Sequence, residues 1–305
     1  MMRPSFGDLY EELKPNLREV TFDAYKRRPV QYTMFFREES TNNEFENYAA
    51  VGPLGLMSEV GEGVDIPSDS QRQLYDKKLS PGKYGLAVKH TKELLDGDKF
   101  GVFTKSGQSL ATACQLTKEI LAADIADNAD TGSAAIYKSA DGVNIFSASH
   151  PIDGGASTDS NLLTSSDLSI TTIQNAMNAL EETVDDRGLP LLIQGDVIVV
   201  PLAKRFLAAQ LIKSTDDPTT ADRAVTSLVD VSLTYKTWKY LTSTTSWYLM
   251  STVTAGEAPG WIWLTRQPFE LDHDVNVLNQ TAWTVASERF ARGVIQWRGW
   301  VKCTV

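Results

Sequence analysis

The chain has 305 residues, 42% hydrophobic and 22% charged, enough apolar material for one large domain or two intimately joined ones. Its 39 acidic and 29 basic residues leave a net charge of −10, which argues against a global electrostatic grip on nucleic acid, since that needs clustered Lys and Arg. Cys114 and Cys303 lie far apart without metal-ligand spacing, and no window approaches the ~18 uninterrupted apolar residues of a membrane span, so a zinc site and a transmembrane anchor are excluded.

No apolar signal core follows Met1, so a cytoplasmic chain with two reduced core thiols is expected. Residues 5 to 28 are amphipathic, and Pro15 is expected to break them. Phe6, Leu9, Tyr10 and Leu13 share a helical face before that proline, and Val20, Phe22 and Tyr25 follow it. A stripe this close to a terminus must pack on the body of its own chain or on a neighbouring subunit.

Residues 44 to 90 combine weak alternation at Phe45, Ala49 and Val51 with a long polar, glycine-rich segment and a clean alternation over Lys83 to Lys89. Tyr84, Leu86 and Val88 share one face of that last run. The pattern predicts two strands joined by a tip too long for an ordinary hairpin. Such an arm is barely stable alone and needs a partner surface. Gly61-Glu62-Gly63 lacks the strand-then-helix setting of a phosphate loop, so no nucleotide site is expected there.

The longest helical pattern runs from 104 to 129. Thr104 or Ser106 is its expected cap, and Leu110, Cys114, Leu121 and Ile125 mark one face. Residues 130 to 167 are rich in Gly, Ser, Asp and Ala, interrupted by the island Asn144 to Pro151. Within it His150 has Ser147, Ser149 and Asp153 nearby, the residue types of a hydrolase site. No Gly-x-Ser-x-Gly occurs, so His150 reads as a loop residue hydrogen-bonded to backbone.

A helix is expected over 168 to 186, capped by Ser169, with Ile173, Met177, Leu180 and Val184 forming its apolar stripe. Glu181, Glu182, Asp185 and Asp186 are adjacent acids without a histidine, and read as a solvated face rather than a metal cluster. Gly188 and Pro190 then stop the helix. Val197 to Val200 reads as a strand buried on both faces, and Ala203, Phe206, Leu207 and Leu211 as the stripe of the next helix.

Ser214 to Thr226 is a polar loop containing Asp216 and Asp217. Beyond it, 247 to 250 and 261 to 264 read as two antiparallel runs joined by the turn at 255 to 260. Their aromatic density reads as a packed sheet face, since no basic residues interleave as in a stacking platform for nucleic acid. Ile295, Trp297 and Val301 are expected to alternate with Gln296, Arg298 and Trp300 in the closing strands, near Arg289 and Arg292.

The run "ALEETVDDRGLPLLIQGDVIVVPLAKRFLAAQLIKS", Ala179 to Ser214, resembles the shell-forming domain of tailed-phage major capsid proteins, and is most similar to the Mu-like major head subunit family. The Phe146-Ser147…His150-Pro151 island and "ERFARGVIQWRGWV" near the end are similar to that family too. The resemblance implies an α+β, Hong Kong 97-type capsid fold. Its expected parts are an N-terminal arm (1–43), an extended β-hairpin loop (44–90), a peripheral domain with a long spine helix (91–133), an axial domain (134–270) and a return to the peripheral domain (271–305).

It further implies a non-enzymatic subunit, without cofactor or metal, that assembles with itself through hexamers and pentamers into an icosahedral virion shell. That shell would enclose double-stranded DNA without sequence-specific binding and without a membrane, and would be assembled in the host bacterial cytoplasm. The absence of a long charged coiled coil before residue 44 implies a separate scaffolding protein. A portal and decoration proteins are further implied partners. Candidate inter-subunit contacts are Phe6, Leu9, Tyr10 and Leu13, the tip acids Glu59, Glu62 and Asp65, the lysines Lys77, Lys78 and Lys83, and the loop acids Asp216 and Asp217. Some relatives crosslink a loop lysine to an asparagine, for which Asn276 and Asn279 are the candidates. An encapsulin-like nanocompartment shell shares the fold, a hydrolase using His150 is the enzymatic alternative, and a tail or adaptor component is a third.

Overall fold

The computed structural model describes residues 6–71, 73–97, 101–152, 155–214, 228, 231–252, 260–276 and 278–305, with side chains from Lys14 onward except at 95, 96 and 103. Asp153, Asp216, Asp217 and the side chains of Phe6, Leu9, Tyr10 and Leu13 lie outside the described residues.

Helix α1, Phe6–Arg27, continues through Pro15 rather than breaking there. A proline inside a helix removes a hydrogen bond and crowds the preceding turn. Packing holds α1 in place: Leu17 and Thr21 are buried against helix α3, Val102–Asn128. Gly107 makes that approach possible, because a Cβ there would stand 2.5 Å from Thr21 Oγ1 and 2.6 Å from Leu17 Cδ1. Phe22 meets Phe269 edge-on and Tyr25 stacks on it at 4.3 Å, so the described part of the N-terminal stripe packs on its own chain. At ~1.5 Å per residue, the 27 residues of α3 extend about 40 Å. The helix begins before Thr104 and Ser106, with Gly101 at its cap position, so neither caps it.

One sheet has four strands in the order β1 (Arg37–Ser40), β11 (Trp261–Asn276), β12 (Thr281–Val294), β4 (Gly82–Thr91). The hairpin proper is β2 (Glu46–Val51) paired with β3 (Gln73–Leu79). The alternating run at 83 to 89 is therefore not the hairpin's second strand. It lies in β4, antiparallel to β12 with Lys83 opposite Arg289 and Thr91 opposite Thr281. A period of two assigns faces, not partners. Short helix α2, Lys92–Asp96, capped by the Thr91 side chain, leads from β4 toward α3.

The second sheet has five strands in the order β7 (Leu162–Leu163), β13 (Trp300–Cys303), β10 (Trp247–Met250), β8 (Val197–Val200), β9 (Thr234–Thr237). A small ribbon, β5 (His150–Ile152) with β6 (Ser157–Asp159), precedes it in the chain. The runs at 247 to 250 and 261 to 264 thus belong to different sheets and do not pair. Val197 to Val200 is buried on both faces, as its sequence predicts. Ile198, Val200, Trp247, Leu249, Val301 and Cys303 face helices α4 (Ile170–Glu181) and α5 (Arg205–Lys213). Val197, Val199, Tyr248, Met250 and Trp300 face a second cluster shared with Ala122, Ile125 and Ala126 of α3, Phe35, Trp238, Trp261 and Trp263. Trp300 is therefore core, and 295 to 299 is a connection rather than a strand.

Helix α4 is capped by Ser169 through a reciprocal pair of hydrogen bonds with Thr172, and buries Ile173, Ala176 and Leu180. Each large apolar side chain so buried contributes about 1.5–3 kcal/mol relative to leaving it exposed. The helix ends at Glu181, and the acids beyond it are not one solvated face. Glu181 and Glu182 are exposed, but Asp185 is buried and accepts the N–H groups of Arg187 and Leu189, both at 2.8 Å. Asp186 pairs with Arg298 at 3.2 Å. In α5 the buried residues are Ala208 and Leu211, while Ala203, Phe206 and Leu207 of the expected stripe are exposed.

Candidate functional site

His150 is the residue on which the enzymatic alternative rests. It is fully buried, stacked 4.1 Å over Trp297, with Nδ1 2.6 Å from Asp141 Oδ2 and Nε2 3.1 Å from Asn161 Oδ1. Asn161 Nδ2 donates to the carbonyl of Ile145 at 2.8 Å, and its Oδ1 accepts the Ser147 N–H at 2.8 Å, which orients the amide. Both ring nitrogens are thus committed to side chains, not to backbone as the sequence predicts, and neither is free to activate a serine. The cluster ties Asp141, His150 and Asn161 together beside Trp297. Among the described residues no group of three His, Cys, Asp or Glu side chains could hold a metal ion, and no helix is long and apolar enough to cross a membrane.

The thiols fit the same picture. Burial pushes the Cys114 thiol up to about 11 and the Cys303 thiol well above its ordinary range. Neither is in a disulfide.

Among the described residues the hairpin carries a long run of exposed apolar side chains. Between β2 and β3 the chain runs out through Leu54, Leu56, Met57, Val60, Val64 and Ile66, all exposed, with Glu59, Glu62 and Asp65 exposed among them. Its neck is tied to the body. Asp69 accepts the Gly55 N–H at 2.8 Å and both terminal nitrogens of Arg187, at 2.8 and 3.2 Å. The Gly55 hydrogen bond first, then Arg187 and Ser70, hold the Asp69 carboxyl down at about 2. A cleft of about 690 Å³ lies under this neck, lined by Leu56, Leu74, Tyr75, Arg187 and Leu189 among others.

The three candidate lysines differ. Lys78 is exposed, its Nζ 3.6 Å over the Phe45 ring. Lys83 is exposed on β4. Lys77 turns inward, donating to the carbonyls of Lys138 and Val294, the latter at 3.1 Å. Burial lowers its ammonium to about 8. Lys77 is therefore an internal tether rather than an exposed contact. Asn276 and Asn279 stand exposed at the β11–β12 turn. That turn is at the opposite end of β4 from Lys83, eight strand positions and roughly 27 Å away at ~3.4 Å per residue, so the two ends do not meet within one subunit.

Two further features escape the sequence reading. Two of the arginines near the end are paired: Arg292 reaches Asp124 at 3.5 Å, and Arg298 donates to Val184 O at 2.8 Å besides binding Asp186. The second feature is the outward face of α5 and the turn before it, where Leu202 and Phe206 are 55% and 81% exposed. Helical periodicity marks such a face as apolar but does not say whether its own chain covers it.

The model of the family described as phage capsid protein matches residues 75–303. The chain is similar in fold to solved virus shells. It matches the capsid of cyanophage P-SCSP1u with a TM-score of 0.57 at 10% identity, over 91% of this chain and 88% of that one. The asymmetric unit of the bacteriophage PhiM1 mature capsid matches with a TM-score of 0.56 at 10% identity, over 91% and 87%. The procapsid of bacteriophage JBD30 matches with a TM-score of 0.54 at 14% identity, over 100% of this chain and 76% of that one. The mixed helix-and-sheet architecture is thus the Hong Kong 97-type one. No curated protein matches the chain.

Proposed function

Because the chain belongs to the phage capsid protein family and is a major capsid shell protein, located in the virion, we propose that it builds an icosahedral head through hexamers and pentamers. The head encloses double-stranded DNA without reading its sequence. The observation that carries this reading is the hairpin, whose long apolar tip is left uncovered by its own subunit. A two-stranded arm is marginal alone, and its apolar end finds a use only on another molecule.

In this assignment residues 1–43 form the N-terminal arm, 91–133 the peripheral domain with α3 as spine, 134–270 the axial domain and 271–305 the return to the peripheral domain. The extended loop is best drawn as 44–81, with β4 joined to the peripheral domain, because that strand belongs to the four-stranded sheet. Glu59, Glu62, Asp65, Lys78 and Lys83 are exposed and are the described contact candidates; Lys77 acts within the subunit. A lysine–asparagine crosslink through Lys83 would have to join two subunits. Assembly in the host bacterial cytoplasm on a separate scaffolding protein, with a portal at one vertex and decoration proteins outside, completes the proposal. The fold and the committed nitrogens of His150 favour a structural protein without turnover.

Negative-stain electron microscopy of the expressed protein, alone and with its neighbouring genes, tests the reading. Closed uniform shells or capsomer rings are expected. A monodisperse monomer or dimer under all conditions would overturn it.

A further inference from the structure

Among the described residues the four-stranded sheet has two free edges of opposite charge. β1 lies beside β11 only as far as Thr265. Farther along, from Glu270 to Asn276, β11 has β12 on one side and no strand on the other. Glu270, Asp272 and Asp274 are exposed there, and from Gln267 to Leu278 the chain carries neither Lys nor Arg. The second edge is β4, which pairs with β12 alone. Lys83 and Lys89 are exposed on it, and from Gly82 to Thr91 the chain carries neither Asp nor Glu. Among the described residues none of these five side chains has an ion-pair partner.

Residues in one row of a sheet share a face. Asp274 stands opposite Trp283, and Trp283 opposite Lys89. Lys89 sets its ammonium 5.7 Å from the centre of the Trp283 ring, on that face. The period of two puts Glu270 and Asp272 on the same face as Asp274, and Lys83 on the same face as Lys89. The acids and the lysines thus flank one face of the sheet, with exposed Trp283 between them. β4 and β11 are both antiparallel to β12, so they run in the same direction. A second copy shifted along the sheet, without being turned over, brings its β4 alongside β11 in parallel.

We propose that the basic edge of β4 in one copy docks on the acidic edge of β11 in a second, so that the two sheets continue as one. Level rows set Lys89 beside Asp274 and bring Lys83 within diagonal reach of Glu270. The incoming β4 takes the lane beside β11 that β1 leaves at Thr265. A free edge presents unpaired N–H and C=O groups, a template for another chain. Charge decides which edge is accepted. Acid beside acid and lysine beside lysine repel, so like edges refuse each other and the unlike pair alone is matched. The two edges lie on opposite sides of one sheet and cannot meet within a subunit. Their contact is heterologous, so it repeats from copy to copy and generates rings or extended arrays. It rests on the shell reading and involves neither the hairpin tip nor its neck.

The test assembles particles from an equal mixture of isotopically light and heavy full-length subunits. A carbodiimide then joins lysines to neighbouring carboxylates as amides, with loss of water. Mass spectrometry is expected to find mixed light–heavy peptides linking Lys89 to Asp274, or Lys83 to Glu270. Particles that give no such links, or only light–light and heavy–heavy ones, would overturn the contact. A second arm uses charge. Lys83→Glu with Lys89→Glu makes both edges acidic, and is expected to raise the subunit concentration needed for assembly about tenfold or more. Adding Glu270→Lys, Asp272→Lys and Asp274→Lys to the same chain exchanges the signs of the two edges and is expected to restore assembly. No effect of the first change, or no recovery with the second, would overturn the contact. Wild-type protein that forms no particles overturns the shell reading and this contact with it, whereas wild-type particles without mixed links overturn this contact alone.

Discussion

Lys302, on the last strand, places its ammonium 2.9 Å from Asp130 Oδ1 and 2.9 Å from the carbonyl of Asp127, at the end of the long helix α3. The last carbonyls of a helix lack intrahelical partners and carry the negative end of its dipole, so a buried cation there answers both needs. Lys302 is 2% exposed, and Tyr248 adds a hydrogen bond to the Ala126 carbonyl at 3.1 Å. Two neighbouring strands, β10 and β13, thus hold the helix end that the five-stranded sheet packs against. Lys302→Met is expected to cost about 3 kcal/mol, the usual consequence of removing one member of a buried pair. Urea unfolding of the unassembled subunit measures it, and an unchanged midpoint would refute the role.

Gly107 makes the opposite kind of prediction, because what matters there is an absent side chain. A β-branched residue would drive its Cβ into Thr21 and Leu17, both buried. Gly107→Val gains a few tenths of a kcal/mol in helix propensity but meets overpacking of about 1–3 kcal/mol, so the net effect is destabilising. The damage should be local. Limited proteolysis is expected to release α1 while the rest of the chain resists, and equal protection of α1 in wild type and variant would count against it.

Much of this architecture can be read from residues alone, where the physics is local. The Ser169 cap, the Ile173 and Leu180 stripe, and the β-branched strand Val197 to Val200 each follow from chemistry within a few positions. Strand partnership is not local. The run in β4 alternates cleanly, yet nothing in it points to β12, nearly two hundred positions away. The turn residues between β10 and β11 read as a hairpin, although each strand joins a different sheet. Phe206 shows the other limit: an apolar residue at helical spacing looks the same whether it faces its own core or a neighbour. Asp69 and Arg187, 118 positions apart, carry no pattern that links them.

Lys77 yields a pH prediction. Its ammonium is buried against carbonyls, and burial lowers it from the ordinary 10.5 to about 8. Between those values the unfolded chain binds more protons at this site than the folded one, so its contribution to stability rises with pH across that window. Below about pH 8 the folded state carries the full cost of the buried charge. Unfolding midpoints measured from pH 7 to 10 are expected to show this rise in wild type and to lose it in Lys77→Met, whatever the absolute stability of the variant. Parallel profiles for the two proteins would show that the lysine titrates normally.

His150 separates a structural from a catalytic role most directly. Asp141, 3% exposed at its side chain, meets the imidazole at 2.6 Å, and Trp297 stacks on it. His150→Ala leaves a buried carboxylate without its partner and a space beside the indole, for an expected loss of about 3–5 kcal/mol. His150→Gln keeps a donor for one of the two acceptors, and is expected to lose about half as much. Thermal melts of the unassembled subunits rank the three proteins. A catalytic histidine predicts a different outcome, with the glutamine variant stable but inactive in any reaction the wild type performs. The buried geometry predicts graded stability and a glutamine variant whose shells are indistinguishable from wild type, because the side chain is fully buried within its own subunit.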